Sequence, residues 1–227
     1  MTQRTNDGLA ASNAWAHVVF AIWLSMLLTA VALWAPPAQA QQDLTDDAHT
    51  FLEQFAQRAL AAIERAAVSE REATAALDEI LTEAFDLPLI GRFVMGRYWD
   101  RATDGQRRDY LALFQDLLVL TYVRRFREFG SFDYDIDRIN IRNERDVIVD
   151  SVIKPVNSGP IEVQWRLRNR EERLRVVDLN IAGLSMLLVQ RDEIRGLIRR
   201  QGGDIDKFLA AIRAQRDRIR DLVDAAG

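Results

Sequence analysis

The spacing of apolar residues changes at Gly130, and this change restricts the fold class more than any other feature of the chain. Before Gly130, apolar residues in segments such as 110–117 recur every three or four positions, which predicts amphipathic helices. After it, residues 161–168 alternate strictly between apolar and polar, which predicts a strand with one buried face. Helical spacing returns after residue 185. The sequence therefore predicts an α+β fold: a helical layer packed on a strongly twisted four-stranded antiparallel sheet, enclosing an apolar cavity.

Smaller signals mark the ends and irregularities of these elements. Thr103 and Gln106 have the spacing of a capping box, which predicts the start of a long helix. The apolar phase of the first strand slips near Asp137, which predicts a β-bulge there. In the last strand, Val177 and Leu179 are two positions apart and are predicted to lie on one face.

The first 40 residues are predicted to be a signal peptide. Residues 18–33 form an apolar run without charge, two prolines end it, and residues 38–40 (AQA) have the small-residue pattern of a cleavage site. We expect export through the inner membrane and cleavage after Ala40, which leaves residues 41–227 as a single domain. The alternative is an uncleaved anchor, since the run is near the lower limit for crossing a bilayer.

The composition removes several classes of function. The chain has no cysteine, and residues 41–227 contain a single histidine, His49, which excludes a disulfide scaffold, thiol chemistry and the common zinc sites. The net charge of −4 is opposite to the basic footprint of a nucleic-acid-binding protein. A lone histidine on a helix is more typical of an inert surface residue than of a catalytic one. We therefore expect no enzyme activity, no cofactor, no metal and no nucleic-acid partner.

One acidic series imitates a calcium loop. Asp133, Asp135, Asp137 and Glu144 occupy the first, third, fifth and twelfth positions of an EF-hand pattern. The sixth position, where the sharp turn needs glycine, is Arg138. Aspartates that alternate with apolar residues are also typical of a half-exposed strand, and this interpretation is favoured.

Arginines follow one face of the helix after residue 185. Arg191, Arg195 and Arg199 stand at i, i+4 and i+8, which predicts a solvated face, with a docking surface for a partner as the alternative. Tyr98 and Trp99 are predicted to be packing residues, with a ligand platform as the alternative.

Two segments resemble a known protein family. Residues 96–99 (GRYW) precede a capped helix that contains DLLVLTY at 116–122, and residues 178–186 read DLNIAGLSM. This pattern resembles the MlaC, or toluene-tolerance, family of periplasmic phospholipid-binding proteins. The resemblance implies a periplasmic carrier without a cofactor that maintains outer-membrane lipid asymmetry. Its implied partners are phospholipid, an inner-membrane ABC transporter complex with an MCE-domain subunit, and an outer-membrane lipoprotein–porin complex.

Candidate lipid-binding residues come from the apolar face of the sheet and from the helices before it. They are Val94, Met95, Leu113, Leu117, Val149, Val163, Trp165, Leu167, Val177 and Leu179. For each of them, ordinary core packing is the alternative. Leu120 stands where members of the family often have a basic residue, which argues against a headgroup contact at that position.

Other functions remain open from the sequence. A carrier of the same family could bind a hopanoid or another lipid. A periplasmic adaptor that binds only protein would have a fully packed core, and an enzyme would need a carboxylate pair, of which none stands out. The carrier hypothesis depends on an apolar interior that is hollow or that can open.

Overall fold

The computed structural model describes residues 38–66, 68–171 and 173–224. Residues Leu44–Gly227 form one compact unit, and the following description concerns that unit. The predicted signal peptide lies outside the described residues except for its last three positions, so cleavage after Ala40 stays a prediction. Among the described helices, none combines the length and the hydropathy needed to cross a bilayer.

The described chain runs through helices, then a sheet, then helices again. The first helices are α1 (Ala38–Ala66), α2 (Glu70–Ala84), α3 (Leu87–Met95), a 3₁₀ turn (Gly96–Tyr98) and α4 (Asp104–Phe129). The strands are β1 (Phe132–Ile141), β2 (Asp146–Pro155), β3 (Ile161–Arg170), β4 (Arg173–Ile181) and β5 (Leu184–Ser185). The last helices are α5 (Met186–Arg200) and α6 (Ile205–Asp224). The predicted α+β fold class is confirmed.

The sheet is an antiparallel meander whose spatial order β1-β2-β3-β4-β5 equals the order in sequence. The sequence predicted four strands, and the structure adds β5, which has two residues and is too short to show a repeat of two. Asn180 pairs with Ser185 across a tight turn. Ala182 and Gly183 make this turn with φ values of 50° and 85°, a region that favours glycine.

The segment that resembles the family near the C-terminus joins the sheet to α5. Ser185 is the N-cap of α5, and its hydroxyl accepts a hydrogen bond from the Leu188 amide at 3.2 Å. The same hydroxyl donates to Asp178 Oδ2 at 2.7 Å, and Asp178 Oδ1 accepts from the Leu187 amide at 3.0 Å. Asp178 and Ser185 together satisfy amides of the first turn of α5 and fix the helix to β4.

The predicted start of the long helix is confirmed in atomic detail. Thr103 Oγ1 accepts from the Gln106 amide at 3.2 Å, and Gln106 Oε1 accepts from the Thr103 amide at 3.0 Å. This reciprocal pair is a capping box, so two orphan amides of α4 are satisfied.

The bulge predicted in β1 is also confirmed. Ile136 pairs with Ser151 and Arg138 pairs with Asp150, so Asp137 is the additional residue on β1. The acidic series that imitates a calcium loop lies largely in this strand, and Asp135 pairs there with a lysine of β2, which confirms the strand interpretation.

A second bulge, in β4, corrects the predicted strand face. Arg166 pairs with Asp178 whereas Leu167 pairs with Val176, which makes Val177 the additional residue. The predicted repeat of two is therefore interrupted at Val177, because the additional residue shifts the phase of β4 between Val176 and Asp178. Val176, not Val177, belongs to the apolar cluster on the inner face of the sheet.

Four apolar clusters lie among the described residues, and the two largest form the main cores. The first core is helical and joins α3, the 3₁₀ turn, α4, α5 and α6. Its largest fully buried side chains are Met95, Tyr110, Phe208, Ile198 and Ile212, and Phe114 is almost as deeply buried. Tyr98 is buried in it, and Trp99 packs against it, as predicted for packing residues. The second core lies between α1 and the inner face of the sheet.

Candidate functional site

Four of the predicted lining residues lie together on the inner face of the sheet. They are Val149, Val163, Trp165 and Leu167, all of them buried. Leu52 and Ala48 of α1 cover this face, and the half-buried Leu179 packs against the same cluster. These four residues and Leu179 thus share one apolar surface, and the helix that covers them was not part of the prediction.

The polar end of Trp165 is satisfied inside the sheet. Its Nε1 donates to Ser151 Oγ at 2.8 Å, and Ser151 Oγ donates to the Val163 carbonyl at 3.1 Å. Because the indole N–H and the hydroxyl of Ser151 both have partners, the tryptophan presents an apolar surface toward α1 without leaving a buried polar group unpaired.

The side of α1 that faces the interior consists mostly of small residues. Leu52 is its one large fully buried side chain, and the half-buried Phe55 adds an aromatic contact with Trp165. The other buried positions are Ala48, Ala56, Ala59, Ala62 and Ala66. Alanines remove little apolar area from water, so α1 is held to the sheet by a smaller hydrophobic free energy per residue than a leucine-faced helix.

The remaining helical candidates belong to the other core. Val94, Met95, Leu113 and Leu117 pack in the helical cluster and not against the inner face of the sheet. The structure therefore divides the predicted lining into two groups. Contact of either group with an acyl chain stays a prediction, as does the role of Val177, which is buried at the β4 bulge.

The helical core contains a tyrosine that is closed to solvent. Tyr110 is fully buried, and its hydroxyl donates to the Gly91 carbonyl at 3.2 Å. Burial raises the pKa of Tyr110 well above its ordinary range, because the phenolate form would be a charge without water. Leu111 also packs closely on Gly91, since a Cβ there would lie 2.5 Å from a side-chain carbon of Leu111. This part of the core is tightly packed.

An open groove of about 750 Å³ lies between α2, α4 and α6. It is lined by Ser69, Glu70, Arg71, Thr74, Ala75, Asp78, Asp116, Val119, Leu120 and Arg220. Val119 and Leu120 are buried and form apolar surface, whereas Arg71 and Arg220 contribute positive charge from the neighbouring helices. Its volume is within the range of small-molecule sites.

The groove changes the interpretation of Leu120. The sequence alone indicated that this chain lacks a basic group at that position. In the structure, Arg71 of α2 and Arg220 of α6 line the same groove as Leu120, and Arg220 Nη2 lies 3.6 Å from Asp116 Oδ2. No local pattern identifies these two arginines, because they come together only when α2 and α6 pack on α4.

Comparisons with known proteins agree with this architecture. The family model described as MlaC protein matches residues 53–214. The structure of a phospholipid-binding protein from Ralstonia solanacearum, determined in complex with a phospholipid, matches this chain with a TM-score of 0.69 and 19% sequence identity. The match covers 77% of this chain and 99% of that chain, so the two share a fold. Since the family model spans most of its length, this protein belongs to the MlaC family.

Proposed function

We propose that this protein is a periplasmic phospholipid carrier. Its membership of the MlaC family is the observation that carries the proposal, and the similar fold of a protein that holds a phospholipid supports it. The proposed partners are the MCE-domain subunit of an inner-membrane ABC transporter complex and an outer-membrane lipoprotein–porin complex. Passage of lipid between them would maintain the asymmetry of the outer membrane.

The physical need for a carrier follows from the acyl chains. Two chains contain about 30 methylenes, and each is worth about 0.8 kcal/mol when it leaves water, roughly 25 kcal/mol in total. That free energy prevents rapid passage of a lipid through an aqueous gap. An apolar surface that replaces the membrane around the chains removes most of the barrier, although ordering costs make the net affinity much smaller.

The inner face of the sheet is the proposed position of the acyl chains. It presents Val149, Val163, Trp165 and Leu167 to α1, whose buried side is mostly alanine. We place the opening between α1 and the sheet, because α1 buries the small side chains of Ala48, Ala56 and Ala59 toward the strands. Movement of α1 away from Trp165 would expose a continuous apolar surface without separating the strands.

The groove beside Leu120 is the proposed position of the headgroup. Arg71 and Arg220 supply positive charge there, which complements a phosphate. The carboxylates of Glu70, Asp78 and Asp116 in the same lining outnumber these two arginines, and Asp116 pairs with both Arg220 and Arg216. The headgroup would therefore be held weakly and near solvent, and the acyl chains would supply most of the affinity.

Native mass spectrometry of the protein purified from the periplasm of a Gram-negative host tests the proposal. We expect mass increments that match phospholipid, and lipid extraction should identify the class. A hopanoid in the extract would retain the carrier function and change the substrate. Protein that carries no lipid and takes none up from phospholipid vesicles would contradict the proposal and favour a protein-binding adaptor.

The proposed location has its own test. Intact-mass measurement of the same periplasmic protein should give a chain that begins at Gln41. Full-length protein in the inner-membrane fraction would instead indicate an uncleaved anchor. This measurement is independent of whether lipid is bound.

A further inference from the structure

A small cavity between the 3₁₀ turn and α5 is surrounded by arginine. Its volume is about 260 Å³, and its lining consists of Arg97, Tyr98, Arg195 and Arg199. Arg101 adds a further guanidinium, 5.8 Å above the Tyr98 ring, and Arg97 lies 5.1 Å from the same ring. Four cationic side chains thus converge around one tyrosine.

No carboxylate of the described residues forms an ion pair with Arg97, Arg101, Arg195 or Arg199. In contrast, Arg168 has a partner at 2.7 Å and Arg216 has one at 2.9 Å. Guanidinium groups that converge without counter-ions repel one another, so the folded protein holds a positive potential at this cavity. An anion that enters it would relieve the repulsion.

The guanidinium of Arg195 occupies space that a side chain at position 96 would fill. Gly96 has φ 58°, and a Cβ there would lie 2.1 Å from Arg195 Nη2. Only a glycine leaves room for the guanidinium against the 3₁₀ turn. Arg195 Nε is buried and has no hydrogen-bond partner among the described residues. A buried donor without a partner is uncommon in folded proteins, and this N–H is free to donate to an acceptor that enters the cavity.

Tyr98 contributes a hydroxyl at the same place. Arg97 Nη2 donates to Tyr98 Oη at 3.3 Å, so the hydroxyl hydrogen is available for another acceptor. This hydrogen bond, followed by the positive charges of Arg97, Arg199 and Arg101, lowers the pKa of Tyr98. The lowered pKa of Tyr98 is therefore consistent with the positive charge around the cavity. Its hydroxyl can donate a hydrogen bond to an anion.

We propose that Arg97, Arg195 and Arg199, together with Tyr98, bind a phosphate group. Phosphate fits this set because guanidinium forks donate two parallel hydrogen bonds to its oxygens, and because four cations favour a dianion over a single carboxylate. The cavity is larger than one phosphate ion, so a phosphomonoester with a short organic group also fits. None of these residues belongs to the proposed acyl-chain or headgroup positions, and the inference does not depend on lipid carriage.

Nuclear magnetic resonance of the arginine Nε–H groups tests the site in the full protein. Inorganic phosphate and glycerol 3-phosphate are titrated separately at low ionic strength. Saturable shifts of the Arg195 Nε–H signal with either ligand would support the proposal. Tighter binding of inorganic phosphate would identify the free ion as the source, whereas tighter binding of glycerol 3-phosphate would identify an organic phosphomonoester.

Arginine variants distinguish binding at this cavity from a general attraction of anions to positive charge. The double variant R195Q/R199Q should bind at least roughly tenfold more weakly. The matched control is Arg218→Gln, an exposed arginine about 20 Å along α6 from its first residue at 1.5 Å per residue. It should bind as the wild type does, and equal losses in both proteins would overturn the proposal.

A conservative variant keeps the test valid if the double variant does not fold. Arg195→Lys retains the positive charge but loses the planar guanidinium that donates two parallel hydrogen bonds. This variant should bind phosphate several times more weakly. Binding as tight as in the wild type would contradict the site. A pentaglutamate peptide is the last probe: if it shifts the Arg195 signal and neither phosphate ligand does, the cavity binds an acidic protein and the proposal is wrong.

Discussion

Phe55 of α1 meets Trp165 of β3 edge to face, with ring centroids 5.0 Å apart and planes inclined by 69°. This arrangement is favourable for aromatic pairs. It joins α1 to the sheet on a side of the helix where most other buried positions are alanine. If α1 opens to admit acyl chains, the Phe55–Trp165 contact must break.

Removal of the Phe55 ring should therefore loosen α1. We expect Phe55→Ala to destabilise the protein by about 2 kcal/mol, less than a fully buried phenylalanine would cost, because Phe55 remains partly exposed. Hydrogen exchange should accelerate in α1 more than in β2 or β3. Leu222→Ala, at a side chain that is 71% exposed, is the control and should change stability by less than about 0.5 kcal/mol. Equal exchange of α1 in wild type and Phe55→Ala would argue against α1 as the moving element.

Ser151 should stabilise the fold through the hydrogen bond that it accepts from Trp165. Ser151→Ala leaves the buried Nε1 of Trp165 without an acceptor, and we expect a loss of about 2 kcal/mol in the free energy of unfolding. In a Trp165→Phe background the same substitution should cost clearly less, since the indole N–H is absent. Urea denaturation of the four proteins measures this coupling. Additive effects would mean that the hydrogen bond does not stabilise the fold.

The pair of Asp146 and Arg168 predicts a loss of stability in acid. Arg168 donates to both carboxylate oxygens, at 2.7 and 3.0 Å, and this is the main reason that the pKa of Asp146 lies below its ordinary value of 3.8. A carboxyl with a lowered folded pKa stabilises the protein above the unfolded pKa. That contribution disappears as the pH falls from the unfolded pKa through the folded pKa.

Asp146→Asn should be less stable than the wild type by about 1 to 2 kcal/mol at pH 7, and the difference should shrink below pH about 4. Arg168→Gln should show the same weaker acid dependence, because it removes the group that lowers the pKa. Urea midpoints between pH 7 and pH 3 provide the measurement. A constant difference between wild type and Asp146→Asn across this range would refute the assignment.

The groove beside Leu120 predicts a modest effect on anionic lipids. Arg71→Gln and Arg220→Gln should each lower retention of phosphatidylglycerol about two- to fivefold, since exposed charge contacts contribute at most about 1 kcal/mol. Quantitative lipid extraction after purification measures the change. Arg108→Gln, an exposed arginine of α4 outside the groove lining, is the charge-matched control. If all three variants retain the same lipid, the headgroup is not bound at the groove.

Much of the architecture could be predicted from the sequence because its signals are local. A capping box at Thr103 and Gln106 depends on two residues that are three positions apart, and both hydrogen bonds are present. The bulge at Asp137 follows from the slip of an alternating pattern within a single strand. The spacing of apolar residues and the residues typical of turns were likewise sufficient to predict the α+β fold class, since each element must bury its own apolar face.

The candidate lining was predicted only in part. Val163, Trp165 and Leu167 stand on one strand, so their common face follows from a repeat of two. The sequence could not separate this group from the helical residues around Met95, because hydrophobicity does not specify which apolar partner a side chain meets. The second bulge escaped prediction for a related reason: Val176 and Val177 are equally apolar, so the phase of β4 shows no slip in the sequence.

What the sequence determined by itself was the set of elements, their caps and the buried face of each strand, since these depend on residues a few positions apart. Tertiary structure alone decided which surfaces meet: α1 with the sheet, Arg71 with Arg220, and Arg97 with Arg195. Arg97 and Arg195 are about a hundred positions apart, and they converge because Gly96 leaves space for a guanidinium once α3 and α5 have packed. Such convergence depends on the packing of distant helices, for which a linear pattern carries no signal.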